Sequence, residues 1–294
     1  MFTLRRTPSL SDALMVYSLR GWVDAGLAGE GTLEALLQQM DDVEQIGSLD
    51  LTDLLDLQQV RPHVNLDEGG VRFVTWPEIE VWTGRLGRDV VVVRGPEPSI
   101  RWPSVAQAIV DLANQLRVGE AVGVSGMPAF TTHRRPVPVQ ASAATRSFAQ
   151  ELGDLRDDYD GPTGFNTVVQ HTLGVAGIRS AALWAQVPQY VSGSACPPAV
   201  RALLTRLEQS FRVAPEFAQL DRRSAAYRDK VEEGLAERPD VRSIVDQLDR
   251  QLDRQLEGLV DTDAVEPLPE DLPSGDELAD EIEQFLRGNT DSGD

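Results

Sequence analysis

The 294-residue chain is poor in three residue types that usually carry chemistry: it has one cysteine, one lysine and three histidines. With Cys196 alone, no disulfide can close within the chain, which fits a reducing compartment. His63, His133 and His171 stand far apart in sequence, and no second cysteine joins them, so no metal-ligand spacing can be written. No metal and no cofactor is expected. No apolar run approaches the roughly 18–20 residues that span a bilayer. Met1–Leu10 contains Arg5 and Arg6 but lacks the apolar stretch of a secretion signal. Positive charge is also short, with 27 Lys and Arg against 47 Asp and Glu and a formal net charge of −20. Such a chain lacks the basic face that displaces counterions from nucleic acid and is repelled by anionic headgroups. Neither nucleic acid nor a membrane is expected as a partner, and the expected location is cytoplasmic.

What the chain does have is an ordinary globular composition, 41% hydrophobic, which argues against disorder of the whole. Its acid is gathered at one end. Residues 261–294 hold twelve Asp and Glu against the single base Arg287, more than half of the net charge.

Periodicity organises the rest. Leu14–Leu19 is a short apolar run closed by Gly21 and reads as a buried strand. Leu27–Met40 places Leu33, Leu36, Leu37 and Met40 on one helical face. Val43–Leu57 reads as a strand followed by a short turn of helix. Val71–Thr75 and Ile79–Thr83 alternate on either side of Trp76-Pro77 and are expected to pair antiparallel. Val90–Val93, β-branched on both faces, implies a strand covered on both sides. Further along, the pattern predicts a helix over Pro103–Arg117, a strand over Ala121–Met127, an extended piece at Val137–Val139 and a helix over Thr163–Val175 behind Pro162. A strand over Ile178–Val187 and a helix over Pro197–Phe211 follow. Alternating strands and helices indicate an α/β domain with a largely parallel central sheet.

After Phe211 no strand pattern remains. Phe217–Leu235 and Val241–Val260 read as two helices divided by Arg238-Pro239, a hairpin packed on itself or on a partner. Pro267, Pro269 and Pro273 sit among acids. Leu278, Ile282, Phe285 and Leu286 give a last short helix an apolar face, and a helix this short needs a docking site. The expected organisation is an α/β core over 1–213, a helical hairpin extension over 214–260, an acidic proline-rich linker over 261–274, a docking helix over 275–287 and a disordered tail over 288–294.

Five runs of glycine, proline, tryptophan and arginine punctuate the core: Gly21–Gly26, Arg94–Pro98 with Arg101-Trp102, His133–Pro136, Tyr159–Gly164 and Trp184–Tyr190. Loops that follow parallel strands meet at one edge of the sheet, so these runs are expected to converge there. The candidate cleft residues are Asp24, Arg94, Glu97, Arg101, Trp102, His133, Arg135 and Tyr190. Arginine forks suit carboxylates and phosphates. Equally, Arg94, Glu97 and Arg101 can form an internal network that holds the Gly-Pro turn, with Trp102 over it. Asp24 is read as a helix cap, with a ligand contact as the alternative. Positive neighbours would lower the pKa of His133. That suits a general base, but with no acid partner to assign, an exposed loop residue is expected. Gly26-x-x-Gly29-x-Gly31 matches neither the dinucleotide fingerprint nor the Walker loop and reads as a tight turn with close helix packing. Ser125 lacks the glycine spacing of a nucleophile elbow. Asp41-Asp42 and Asp157-Asp158 read as solvated. No residue is assigned to catalysis.

Taken in order, Gly21-Trp22-x-Asp24-Ala25-Gly26, Arg61-Pro62, Gly95-x-Glu97-Pro98 with Arg101-Trp102, Arg135-Pro136, Tyr159-x-Gly161-Pro162-Thr163-Gly164, Leu183-Trp184-Ala185-x-Val187-Pro188-x-Tyr190 and Leu278-Ala279-x-Glu281-Ile282-Glu283-x-Phe285-Leu286-Arg287 resemble the proteasome assembly chaperone family, and its actinobacterial branch most. Gln189 and Thr132 depart from the pattern, where a histidine and a nearby proline are expected. The resemblance implies a three-layer α/β/α sandwich related to phosphorylase/hydrolase-like folds. It also implies a non-enzymatic protein that binds protein partners, itself or proteasome-related, as a homo-oligomer. The alternative is a small-molecule-binding protein or an enzyme, nucleoside phosphorylase/hydrolase-like, using the cleft at the strand C-terminal ends. A third reading has the acidic tail dock its last helix over that cleft.

Overall fold

Apolar runs with no face to spare for water set the centre of the fold. In the computed structural model, which describes residues 2–153 and 160–256, strand β2 (Ala13–Arg20) is buried at every position but Arg20. Strand β7 (Asp89–Pro96) keeps Val90–Val93 wholly out of solvent. Around them lie β1 (Thr3–Leu4), β3 (Asp41–Asp50), β6 (Glu78–Arg85), β8 (Val118–Ala129), β9 (Val139–Ala143) and β10 (Arg179–Pro188) in one eight-stranded sheet, ordered β1-β3-β6-β7-β2-β8-β10-β9. The four central strands β7, β2, β8 and β10 are parallel, while both flanks are antiparallel.

Alternation along these strands divides the core in two. Leu14, Val16, Val90, Val92 and Val122 point to one face, where α1 (Ala28–Gln39) and α5 (Pro197–Phe211) bring Leu33, Leu36, Leu203 and Leu207. Met15, Tyr17, Val91, Val93 and Ala121 point to the other, against Ile109 and Leu112 of α2 (Trp102–Gln115) and Phe165 and Val169 of α4 (Phe165–Val175). The result is three layers, helices on both sides of the sheet. A short α3 (Arg146–Glu151) follows β9, and α6 (Ala218–Ala236) and α7 (Pro239–Leu256) extend the chain past α5, with α6 packed on α5 and α7 on α6. The expected linker, docking helix and disordered tail, with Asp157, Asp158 and Tyr159, lie outside the described residues.

Two expectations change. Val71–Thr75 and Ile79–Thr83 do not pair with each other. β5 (Arg72–Thr75) instead returns onto β4 (His63–Leu66), and β6 joins the main sheet between β3 and β7. A two-residue hairpin turn needs positive φ at its centre, and the proline of Trp76-Pro77 is locked near −65°. The turn that does form is at Asp67–Gly70, where Asp67 Oδ1 accepts from the Gly69 and Val71 amides and Gly70 takes φ +76°. Helix α4 begins at Phe165, three residues after Pro162, with Gly164 extended before it.

One departure from regularity positions the site. β2 stays paired with β7 as far as Arg20↔Pro96, but its pairing with β8 ends at Tyr17↔Gly123. Beyond that point the two strands part, and β8 continues with β10 to Ala129↔Pro188. The Asn166 side chain substitutes for the missing strand. Its Oδ1 accepts from the Leu19 amide at 3.0 Å and its Nδ2 donates to the Leu19 carbonyl at 3.3 Å. Buried backbone groups must be paired, and here a side chain from α4 does it.

Candidate functional site

A cavity of about 620 Å³ opens where β2 and β8 separate, at the C-terminal ends of the parallel strands. Crevices in open α/β sheets form at such places. Four of the five runs reach it. Trp22 comes from the loop after β2, Glu97 from the end of β7, Gly161–Gly164 from the approach to α4 and Trp184 from β10. Gly21 leaves room at this crossing for the Glu97 carboxylate, which a Cβ there would displace. Glu97 accepts hydrogen bonds from the backbone amides of Phe165, at 3.2 Å, and Trp22. Partial burial nonetheless raises its pKa above the ordinary carboxylate value, the two amides offsetting only part of the desolvation. Among the described residues Glu97 has no ion pair.

The other candidates lie elsewhere, and the structure does not gather all eight. Asp24 turns inward. Its Oδ1 accepts from the amides of Gly29, at 2.8 Å, and Gly126, at 2.9 Å, and from the Ser125 hydroxyl at 3.3 Å. Its Oδ2 accepts from the Glu30 amide at 3.1 Å. It therefore caps the first turn of α1 and ties that turn to β8. Burial raises its pKa, against the pull of those amides. The neighbouring Gly26 adopts φ +68°, a conformation costly for any residue with a Cβ. Its own Cβ would strike Cys196, so the glycines of this loop serve the turn and the packing.

Arg94 pairs with Glu80 at 2.6 Å, stacks over Trp82 and does not engage Glu97. The expected Arg94–Glu97–Arg101 network does not form among the described residues; Trp102 Nε1 donates to the Pro98 carbonyl and its ring meets Phe165 edge-on at 5.4 Å. Arg101, exposed at φ +61°, precedes α2. Arg94, Glu97 and Trp102 line a second, wider cleft, of about 1420 Å³, between the sheet edge and the β4–β5 hairpin.

His133, Arg135 and Tyr190 form a separate group under the C-terminal helices. His133 is not exposed: its side chain is 1% accessible, and its acid partner, Glu232, comes from α6. The Tyr190 hydroxyl oxygen accepts from the His133 amide at 3.0 Å and lies 2.6 Å from His133 Nδ1. Hydrogen-bond accounting then assigns the ring. Tyr190 O–H donates to Nδ1, and Nε2–H donates to Glu232 Oε1 at 3.0 Å, which is the neutral form. Burial lowers the His133 pKa below its ordinary 6.5, with Glu232 opposing. Arg134 joins Glu232 to Asp246, at 2.6 Å, and Asp249, at 3.2 Å. Arg135 holds Asp249 at 3.1 Å and Asp253 at 2.6 Å, and Thr132 donates to Asp249. The acidic partners of this loop lie about a hundred residues away, so neighbouring residues carried no signal of them.

The sign of the His133 shift makes a prediction. Above pH 6.5 folded and unfolded forms are both neutral at this ring. As pH falls through 6.5 the unfolded chain takes up the proton first, and stability is lost until the lower folded pKa is reached. Chemical denaturation between pH 7.5 and 5.5 should show that loss with a slope of up to about 1.4 kcal/mol per pH unit. His133→Asn should flatten it. An unchanged slope in the variant would refute this assignment.

Among the described residues no cluster of three His, Cys, Asp or Glu side chains is placed to hold a metal, and no helix is long and apolar enough to cross a membrane. The PAC2 family model matches residues 18–235. A PAC2 family protein from Streptomyces avermitilis superposes with a TM-score of 0.72 at 36% identity, covering 76% of this chain and 95% of that one. A proteasome-assembly chaperone homologue from Mycobacterium tuberculosis gives 0.70 at 32% identity, over 76% and 96%. An archaeal proteasome activator from Pyrococcus furiosus shares the fold, with a TM-score of 0.63 at 15% identity over 79% and 97%. No curated protein matches the chain.

Proposed function

The chain belongs to the PAC2 family, and on that premise we propose that it is a non-enzymatic protein of assembly-chaperone type, working in the cytoplasm as a homo-oligomer with proteasome-related protein partners. The β4–β5 hairpin is the observation that carries this reading. It forms a sheet of its own outside the main one, and its apolar side chains face water: Val64, Leu66, Phe73 and Val74 are each about half or more accessible, as is Trp76 just beyond. Exposed apolar side chains gathered on one element in this way mark protein–protein contact. Val64 and Val74 are direct cross-strand partners and so share one face with Leu66. The polar candidates support the same reading, since Asp24, Arg94, His133 and Arg135 are each engaged by partners within the fold.

Sedimentation equilibrium tests it. Wild-type protein is expected to self-associate, and the double variant Val64→Ser, Val74→Ser to associate about thirtyfold more weakly, from about 1 kcal/mol of lost apolar burial per side chain. Purified proteasome α subunits, titrated against both proteins, should show the same ranking. Wild-type protein that stays monomeric and ignores the α subunits, or a double variant that behaves like wild type, would overturn the proposal.

A further inference from the structure

The cavity between β2 and β8 is built for positive charge. It is walled by two indoles, Trp22 and Trp184, by two carboxylates, Glu97 and Asp160, and by His171, while among the described residues no arginine or lysine lines it. The chain as a whole has arginine in plenty, and arginine meets most of the partly buried acids around the fold, Glu80, Glu120 and Asp249 among them. Asp24 and Glu97 meet none, and of these two Asp24 has its oxygens filled by three amides while Glu97 opens onto the cavity. Glu97 is drawn partly out of water, held by two amides and met by no cation among the described residues. Leaving a carboxylate in such a place is costly unless a positive group shares it.

Gly164 shows where that group fits. Its φ of −88° and ψ of 170° are open to any residue, so the backbone does not demand glycine. A Cβ placed there would sit 4.0 Å from Glu97 Oε2 and 4.0 Å from Cε3 of Trp22, in ordinary contact with both. The space beyond this missing side chain is thus bordered at once by a carboxylate oxygen and an indole. A cation gains from both, by Coulomb attraction to the first and by the quadrupole of the second.

We propose that this cavity binds an organic cation, a quaternary ammonium or guanidinium group, seated against Gly164 between Glu97 and the Trp22 indole. The cation can belong to a free small molecule or to a basic side chain on a peptide. The site does not depend on the hairpin, and the two assignments stand or fall separately.

Isothermal titration of the full chain separates them. Choline and its uncharged isostere 3,3-dimethylbutanol form one pair of probes. An acetyl-Gly-Arg-Gly-amide peptide and its citrulline counterpart form the other. At least one cation should bind, at least tenfold more tightly than its neutral twin, and the pair that responds identifies the source. Glu97→Gln, whose amide oxygen can still accept from the two backbone amides, should weaken binding at least tenfold. Gly164→Val should abolish it by filling the space, with the melting temperature of the free protein showing that the fold is kept. Absence of binding by both cations, equal binding of charged and neutral twins, or full binding by either variant would overturn the proposal.

Discussion

Replacing Asp24 by alanine should lower the unfolding free energy by about 4 kcal/mol. The carboxylate accepts from the amides of Gly29, Glu30 and Gly126 and from the Ser125 hydroxyl. Alanine leaves three backbone donors in a buried corner, each unsatisfied group costing about 1–3 kcal/mol before any water enters, while the Ser125 hydroxyl keeps the Val23 carbonyl at 2.7 Å. The loss has a structural address. Asp24 ties, through one side chain, the first turn of α1 to β8 where β8 leaves β2, so the lip of the cavity loosens with it. Asp24→Asn should recover about half, because an amide offers one accepting oxygen in place of two and turns an N–H toward amide donors. Urea unfolding of the three proteins at neutral pH measures this directly. Alanine and wild type within 1 kcal/mol of each other would mean that the cap is dispensable.

Removing Arg134 should loosen the hold on the C-terminal helices by about 2 kcal/mol, the sum of three half-exposed ion pairs. The guanidinium neutralises Glu232 from α6 and Asp246 and Asp249 from α7. Without it three carboxylates face one another beside the buried His133–Tyr190 pair. Water screens these half-exposed pairs, so each contributes only about 0.2–1 kcal/mol, and the three together set the size of the loss. The apolar contact that remains, Tyr190 and Val191 against Val231, Leu235, Val241 and Val245, is small. Arg134→Ala should therefore release α7 before the α/β core unfolds. Amide hydrogen exchange would show protection lost over residues 239–254 and kept in β2, β7 and β8. Arg134→Lys should rescue only partly, since an ammonium cannot fork across several carboxylates. Uniform loss of protection, or none, would show that the arginine is not a clamp.

How much of this was legible beforehand differs by element. The helix over Pro197–Phe211 and the strand at Val90–Val93 declare themselves because burial on one face or on both leaves a period in the residues. The cap at Asp24 and the Trp102 cover were also readable, since each acts on groups close by in the chain. The β4–β5 hairpin had a usable signal in Asp67-Glu68-Gly69-Gly70, outweighed by the more conspicuous Trp76-Pro77. The environment of His133 had none, because Glu232 and Asp249 reach it from helices that periodicity describes only as helices.

By itself the amino-acid order determined the strand and helix pattern, the acidic balance and the family to which the chain belongs, because these follow from local spacing and from motifs in sequence. Tertiary structure alone decided which charges meet. Arg94 found Glu80, Arg134 and Arg135 found α6 and α7, and Glu97 was left with two amides beside an indole. Coulomb and hydrogen-bond energies depend on distances of a few ångströms, and those distances are fixed only when β2 and β8 part and the helices close around them.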